Sequence, residues 1–477
     1  MKIRVVNTGS GARAVQVIKY RNNKRFILKH IGSAHTDKEV EELKILANEW
    51  IKSYTGQLSL IEEENLNQFL HLTHCSFLGV RYDFFYQTIN LLHQQVGFHD
   101  LPQILHDLAT IRIFEPASKV RSFELLDLYF GVIHNRKNYY KITPDTILLK
   151  SLVEDKVIDF AREHYSFNFD LLFYDVTTLY FETFTEDELR ENGFSKDNKL
   201  GQPQILIALM VSKEGFPLNY EIFSGSTFEG HTLIPVITSF IKKHQVKEFT
   251  VVADAAMISD DNIKQLLNNK INYIVGARLG NISNTLLDTI DKNLPREDGK
   301  THRIPTDKGY LICSFSSTRY RKDKYEMEKQ IEKAKHAVKY KFKNKRFKFI
   351  STINEKRELN QKLIEKTIKL LGIKGYYTNL KESTTSNQII IDRYHELYKI
   401  EQAFRISKHD LQTRPIFHFK EEPIKLHILI CFMALVISKH IELQSGISIR
   451  KFINEAKKIT DGLILNKITN KIHLVKN

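Results

Sequence analysis

LLFYDVTTLYF, residues 171–181, is an apolar run interrupted once, by Asp175. A strand buried on both faces reads this way. A charged carboxylate inside such a strand is expensive unless it is paired or bound to metal. Two further strand-like runs follow, QILIALMV and LNYEIFSG, separated by the turn Lys213-Glu214-Gly215-Phe216-Pro217, which predicts a hairpin. His231–His244 reads as a helix, EFTVVADA as an apolar strand ending at Asp254, Asp260–Asn269 as a short helix, and INYIVGARL as another strand. The order is strand, strand, strand, helix, strand, helix, strand.

Upstream, residues 1–32 alternate short β-rich pieces with turns and predict a small hairpin or meander. Thr36-Asp37-Lys38-Glu39 is a capping box opening a helix through about Ser53. Helical segments follow near Asp83–Gln95, Leu101–Ile113, Ser118–Phe130 and Pro144–His164, the last with Thr143 as N-cap and Pro144 at the first helical position. This region reads either as carrying a DNA-binding helix-turn-helix or as helices that only pack on one another. Beyond Gly280, HRIP and GYLICSFSS are strand-like, a helix spans Tyr325 to about Tyr340, and GIKGYYTNL resumes the core. Lys425–Ile441 and Ile449–Ala456 read as helices. The expected organisation is therefore 1–165, a β-hairpin and helical region for DNA-end binding; 166–280 and 371–441, the two parts of the core; 281–370, an insertion; and 442–477, a tail suited to dimerisation.

Lys and Arg total 71 against 56 Asp and Glu, a formal charge of +15. That surplus favours a polyanionic partner, nucleic acid before membrane. It is concentrated: Arg319–Lys348 holds 13 Lys or Arg against 4 acids. Lys341, Lys343, Lys345 and Arg346 lie in it, interleaved with Tyr320, Tyr325, Tyr340, Phe342, Phe347 and Phe349. Surfaces that grip a backbone and stack on exposed bases look like this, and so does a solvated basic helix. The 3 cysteines are far apart with no CxxC pairing, which argues for a reducing compartment and against a zinc finger. No apolar h-region follows Met1, and the longest apolar run, Ile428–Ile437, is too short to span a bilayer. A cytoplasmic protein working on DNA is expected.

A second stretch, Tyr394–Leu411, reads YHELYKIEQAFRISKHDL. In one continuous helix, Tyr394, Glu401 and Lys408 would share a face beside the apolar stripe Leu397, Ile400, Phe404 and Leu411. If the Asp175 and Asp254 strands are neighbours, their carboxylates converge and Glu401 completes a cluster. Close carboxylates repel and need a cation, and hard oxygen ligands favour Mg²⁺, with Mn²⁺ as substitute. First Asp on the leading strand, second after the fourth strand, Glu on a late helix: that is the order of an α/β, ribonuclease-H-like mixed-sheet core with an inserted subdomain and a mostly helical N-terminal region.

The residues also resemble the DDE transposases of bacterial insertion sequences, in the branch marked by Tyr-x2-Arg-x3-Glu-x6-Lys. Here that signature is Tyr394-x2-Leu397-x3-Glu401-x6-Lys408. FYDVTTLYFE, VVADAAMIS, and KHDLQTRPIFH followed by His427 are similar to the family too. The resemblance implies metal-dependent cleavage and strand transfer of double-stranded DNA, at terminal inverted repeats and at target DNA, by a homodimer in a synaptic complex. It implies Asp175, Asp254 and Glu401 as metal ligands, with Tyr394 and Lys408 on DNA phosphate. Leu397 stands where the signature has Arg, leaving that contact to Arg393 or Arg405. Some relatives hold a flipped base with a Trp in the insertion; the only Trp here is Trp50, so Tyr310, Phe315 or Tyr320 would have to stack instead. Two other readings stay open: a structure-specific nuclease on the same core, and an inactive DNA-binding regulator.

Overall fold

The strand and helix pattern from residue 171 onward becomes an eight-stranded mixed sheet in a computed structural model of the chain. The structure describes all residues except 56–74, 195–200, 258, 341–346, 354–355, 468–469 and 477. They form two compact units, Met1–Tyr82 with Thr460–Asn477, and Asp83–Ile459.

In the first unit, β1 (Lys2–Asn7), β2 (Arg13–Arg21) and β3 (Lys24–Ala34) form the expected antiparallel meander. Helix α1 (Asp37–Thr55) lays Val40, Leu43 and Ala47 on Val15 and Val17, with Trp50 at the edge of that core. Its capping box is formed: Thr36 Oγ1 accepts the Glu39 N–H at 3.3 Å and Glu39 Oε2 accepts the Thr36 N–H at 3.2 Å. Strand β4 (Cys75–Arg81) ends this part of the chain.

The second unit opens with α2 (Asp83–Gln95), α3 (Gln103–Phe114), α4 (Lys119–Phe130), α5 (Arg136–Lys141) and α6 (Thr146–Tyr165). Thr143 does not cap α6. Thr143–Asp145 forms a separate 3₁₀ turn, and the Thr143 hydroxyl donates instead to the Tyr139 carbonyl at 3.2 Å. Then come β5 (Leu171–Tyr180), β6 (Gln204–Ser212), β7 (Pro217–Ser224), α7 (Leu233–His244), β8 (Thr250–Ala253), α8 (Asp260–Asn268) and β9 (Asn272–Ala277). Strands β5, β6 and β7 are antiparallel, while β5, β8 and β9 are parallel. The order β7-β6-β5-β8-β9 is the ribonuclease-H-like core, with β5 at its centre and buried at eight of its ten positions. Gly215, at φ +84, supplies the left-handed residue that the β6–β7 turn requires.

Beyond β9 lie α9 (Asn284–Asn293), β10 (Thr301–Thr306), β11 (Gly309–Phe315), α10 (Ser317–Lys339), β12 (Ile350–Ile353), β13 (Lys356–Leu359), α11 (Gln361–Lys369) and β14 (Ile373–Thr378). β14 pairs with β9, and the β10–β11 hairpin extends the same sheet beyond it. The basic helix α10 begins at Ser317 rather than near Tyr325, because the Ser316 hydroxyl caps it by accepting the Arg319 N–H. Met327 and Ala334 of that helix pack against Phe349, Ile364 and Leu371. Phe349 is therefore core, not a surface for stacking.

The stretch Tyr394–Leu411 is not one helix. It divides into α12 (Asn387–His395), α13 (Tyr398–Arg405) and a π-helical turn at Ile406–Asp410. Between the helices the bonding tightens, with Leu397 N–H donating to the Tyr394 carbonyl and Ile400 N–H to that of Leu397, both at 3.1 Å. The cause is packing. Helix α12 lies against β8, β9 and β10 while α13 lies against β5 and β6, and a straight rod cannot follow a sheet that twists between them. Helix α14 (Glu421–Ser445) is enclosed by α3, α6 and β7, with α15 (Ile449–Ala456) at its end. Among the described residues it is the one helix long and apolar enough to cross a membrane, and it is buried inside this unit. The chain ends in β15 (Asp461–Asn466) and β16 (Lys471–Val475), which return to the first unit, where β15 pairs with β4.

Candidate active site

Asp175 is the one interior position of β5 that is not fully buried. Its Oδ1 accepts the N–H of Val176 at 2.8 Å. On the neighbouring parallel strand Tyr174 pairs with Ala253, so Asp254 leaves β8 at the level of Asp175. The loop after Asp254 is braced: Met257 N–H donates to the Asp254 carbonyl, and the buried Asn262 amide donates to the carbonyls of Met257 and Gly230.

Glu401 is exposed on α13, which packs over β5 and β6. Tyr394, at the end of α12, is buried and donates its hydroxyl to Asp254 Oδ1 at 3.1 Å. Burial, followed by the charge of Asp254, pushes the Tyr394 phenol well above its ordinary pKa, so it stays a donor. The seat for that hydroxyl exists because residue 276 is glycine. A methyl group there would overlap the Tyr394 oxygen. Tyr394 and Glu401 thus sit on separate helices, and Lys408 falls in the slower-winding π turn, so the single face expected of the three is not formed.

Lys374 on β14 was not anticipated. Its ammonium stands 4.7 Å from the centre of the Tyr394 ring. Burial and then the nearby Arg319 charge hold its pKa below the lysine value, while Asp254 and Glu401 pull it back up. Lys374 therefore acts electrostatically on both carboxylates, and Arg319, at the start of α10, acts in turn on Lys374. The signal in the sequence was the same as for Asp175: one charge in an otherwise apolar strand, GIKGYYTNL.

Arg405 is exposed on α13. Lys341, Lys343, Lys345 and Arg346 lie outside the described residues. Of the aromatics considered for stacking, Phe315 is buried, and Tyr310 lies beneath the Arg303 guanidinium at 5.2 Å.

The Transposase DDE domain family matches residues 168–437, more than half of the chain. The chain belongs to that family. Its match begins just before β5 and ends within α14, spanning the whole central sheet. A cryo-electron-microscopy structure of a piggyBac transposase synaptic complex with hairpin DNA is similar over 73% of this chain and 68% of that one, at 12% identity and a TM-score of 0.39. No curated protein matches. Membership makes this a transposase-type enzyme acting on DNA, and DDE domains generally use divalent metal ions.

The donor set suits such ions: three carboxylates, all hard oxygen ligands, on β5, after β8 and on α13. Among the described residues, no three His, Cys, Asp or Glu side chains stand together as a formed ion cage. One Asp254 oxygen is instead bonded to Tyr394, with the Lys374 charge beside it.

Proposed function

We propose that the chain is an insertion-sequence transposase which binds inverted-repeat DNA ends, cleaves them and joins them to target DNA, with Asp175, Asp254 and Glu401 as the catalytic carboxylates holding Mg²⁺ or Mn²⁺. The observation that carries this reading is the β5–β8 register, which brings Asp175 on β5 level with Asp254 at the end of the neighbouring parallel strand, while the helix bearing Glu401 packs over β5 and β6. When bound, the ions supply Lewis-acid stabilisation to the attacking and leaving oxygens of an in-line phosphoryl displacement.

The protein's own groups do the rest. Tyr394 holds the rotamer of Asp254 by donating to one oxygen. Lys374 offsets carboxylate repulsion before the ions arrive. Arg405, one turn beyond Glu401 on α13, and Lys408, in the π turn that follows, serve as fork-shaped and point-charge phosphate contacts. The reaction runs at DNA ends within a homodimeric synaptic complex, in a bacterial cytoplasm.

The test is incubation of the purified protein with DNA flanking its own coding sequence and Mn²⁺ or Mg²⁺, scoring nicks and joined products. Cleavage and joining that disappear in Asp175→Asn, Asp254→Asn and Glu401→Gln are expected. Cleavage without joining would make the protein a nuclease, and end binding with neither would make it a regulator.

A further inference from the structure

Away from the carboxylates, the second unit contains a cavity of about 280 Å³ between the start of α4, the α5 helix and the segment that follows the π turn. Arg112, Lys119, Arg136 and Arg414 line it together with His418, and no carboxylate among the described residues does. Two of these cations are built in rather than draped over the surface. The Arg112 guanidinium donates to the carbonyls of Ala117 at 2.8 Å, Gln412 at 3.2 Å and Leu411 at 3.4 Å, which ties α3 to the segment after the π turn. Its Nε and the Lys119 ammonium are buried atoms without a hydrogen-bond partner among the described residues. The Lys119 nitrogen faces the ring of Tyr139, 5.4 Å from its centre.

A buried ammonium without a partner is destabilising by several kcal/mol in general. Proteins retain such groups where a counter-charge arrives from outside. Helix α4, capped by Ser118, also turns its positive end toward this place.

We propose that this cavity is an oxyanion site which takes a phosphate group of a nucleic-acid strand. The oxyanion chemistry stands on the cations alone, and the nucleic-acid source rests on the transposase reading. Geometry favours that source. Phe181, six residues beyond Asp175, bridges Ile416 in the lining segment. The cavity therefore lies roughly 20 Å along β5 from the carboxylates, equivalent to about six base pairs of duplex. A strand cut at one place would be anchored at the other.

Burial, then the charge of Arg112, lowers the pKa of Lys119 to about 7. Burial holds His418 near 4 and His427 well below its ordinary value, pushes Tyr139 up and lowers Arg414, while Arg112 and Arg136 line the same cavity. Cys431 completes the surroundings. Anion binding is therefore tighter at pH 6 than at pH 8.5.

The experiment measures the melting temperature of the full chain against sodium phosphate, with sodium chloride at matched ionic strength as control, and then duplex binding across salt. Phosphate should stabilise the parent protein more than chloride does, and sulfate, whose charge is constant over this range, should do so more at pH 6 than at pH 8.5. Lys119→Gln should weaken that response at least fivefold and lower the log–log salt slope of duplex binding by about 0.9. Arg136→Gln, at the exposed mouth where folding is not at stake, should weaken both by less. A phosphate response that survives both substitutions overturns the oxyanion site. A response that is lost while the duplex salt slope stays at the parent value overturns the nucleic-acid source and leaves the cleavage reading untouched. Loss of cleavage in the carboxylate variants with phosphate binding intact separates the two sites in the other direction.

Discussion

The second unit keeps two groups of like charges, and it handles them in opposite ways. On β5, after β8 and on α13, three carboxylates are each approached by a neutral or cationic neighbour: the Val176 N–H on Asp175, the Tyr394 hydroxyl on Asp254, and the Lys374 charge near Asp254 and Glu401. In the cavity beside α4, cations face one another with no carboxylate among the described lining residues. The acidic group has internal stand-ins for a cation and is stable while it waits. In the basic group the Arg112 guanidinium is held by backbone carbonyls, but the Lys119 ammonium is buried without a hydrogen-bond partner among the described residues. As proposed, one site serves ions that the enzyme holds and the other serves charge that the substrate carries.

The largest effect that can break this comparison is in the carboxylates. Asp175→Asn, Asp254→Asn or Glu401→Gln should each reduce cleavage by roughly 10²–10³-fold, as loss of a central electrostatic group does, with circular dichroism and end binding kept. Near-parental cleavage in two of the three would remove them from the chemistry. Tyr394→Phe tests the stand-in and should lower metal affinity or activity by about 10–100-fold, the usual loss when the partner orienting a ligand is removed. Gly276→Ala, by crowding the same hydroxyl, should mimic it and destabilise the fold by about 1–3 kcal/mol. If Tyr394→Phe leaves the metal dependence of cleavage unchanged, the bond to Asp254 has no catalytic meaning.

Lys119→Met sharpens the other half, and its sign follows from the lowered pKa. The unfolded chain keeps its lysine protonated up to about 10.5, whereas the folded one releases the proton above about 7. Stability therefore rises with pH between those values, and the penalty is fully present below about 7. The methionine variant should melt higher than the parent at pH 6, with the gap narrowing toward pH 10. A constant gap would mean that Lys119 is not charged and buried in the folded protein. The smallest effect expected is from replacing Lys341, Lys343, Lys345 and Arg346 with Gln. For every phosphate that these side chains neutralise in the parent, the salt slope of duplex binding should fall by about 0.9 in the variant, read from titrations at several salt concentrations. An unchanged slope makes that run a solvated surface.

Much of the fold was legible because strand burial leaves a mark on residue choice. The apolar run around Asp175, the hairpin turn at Gly215 and the apolar strand before Asp254 each report a local environment, and together they prescribe the strand order. The same logic would have found Lys374. Periodicity misread Tyr394–Leu411, since a repeating apolar stripe is compatible with one helix or with two that bend around a twisted sheet. Nothing local marked Lys119. Its partners Arg112, Arg414 and His418 come from places up to about three hundred residues away, and their charges look like ordinary surface charges in the text.

By itself, then, the sequence determined which segments must be buried, where a carboxylate interrupts them, and that a large positive surplus seeks a polyanion. Those properties depend on neighbours within a few residues and on composition. Only the tertiary structure decided that Tyr394 turns inward onto Asp254 across the gap left at Gly276, that the basic helix starts at Ser317 behind the Ser316 cap, and that four cations meet in one cavity with no carboxylate among its described lining residues. The reason is physical: hydrophobic burial is additive and non-directional, so its pattern survives in one dimension. A hydrogen bond or a charge pair depends on distance and angle between residues that only folding brings together.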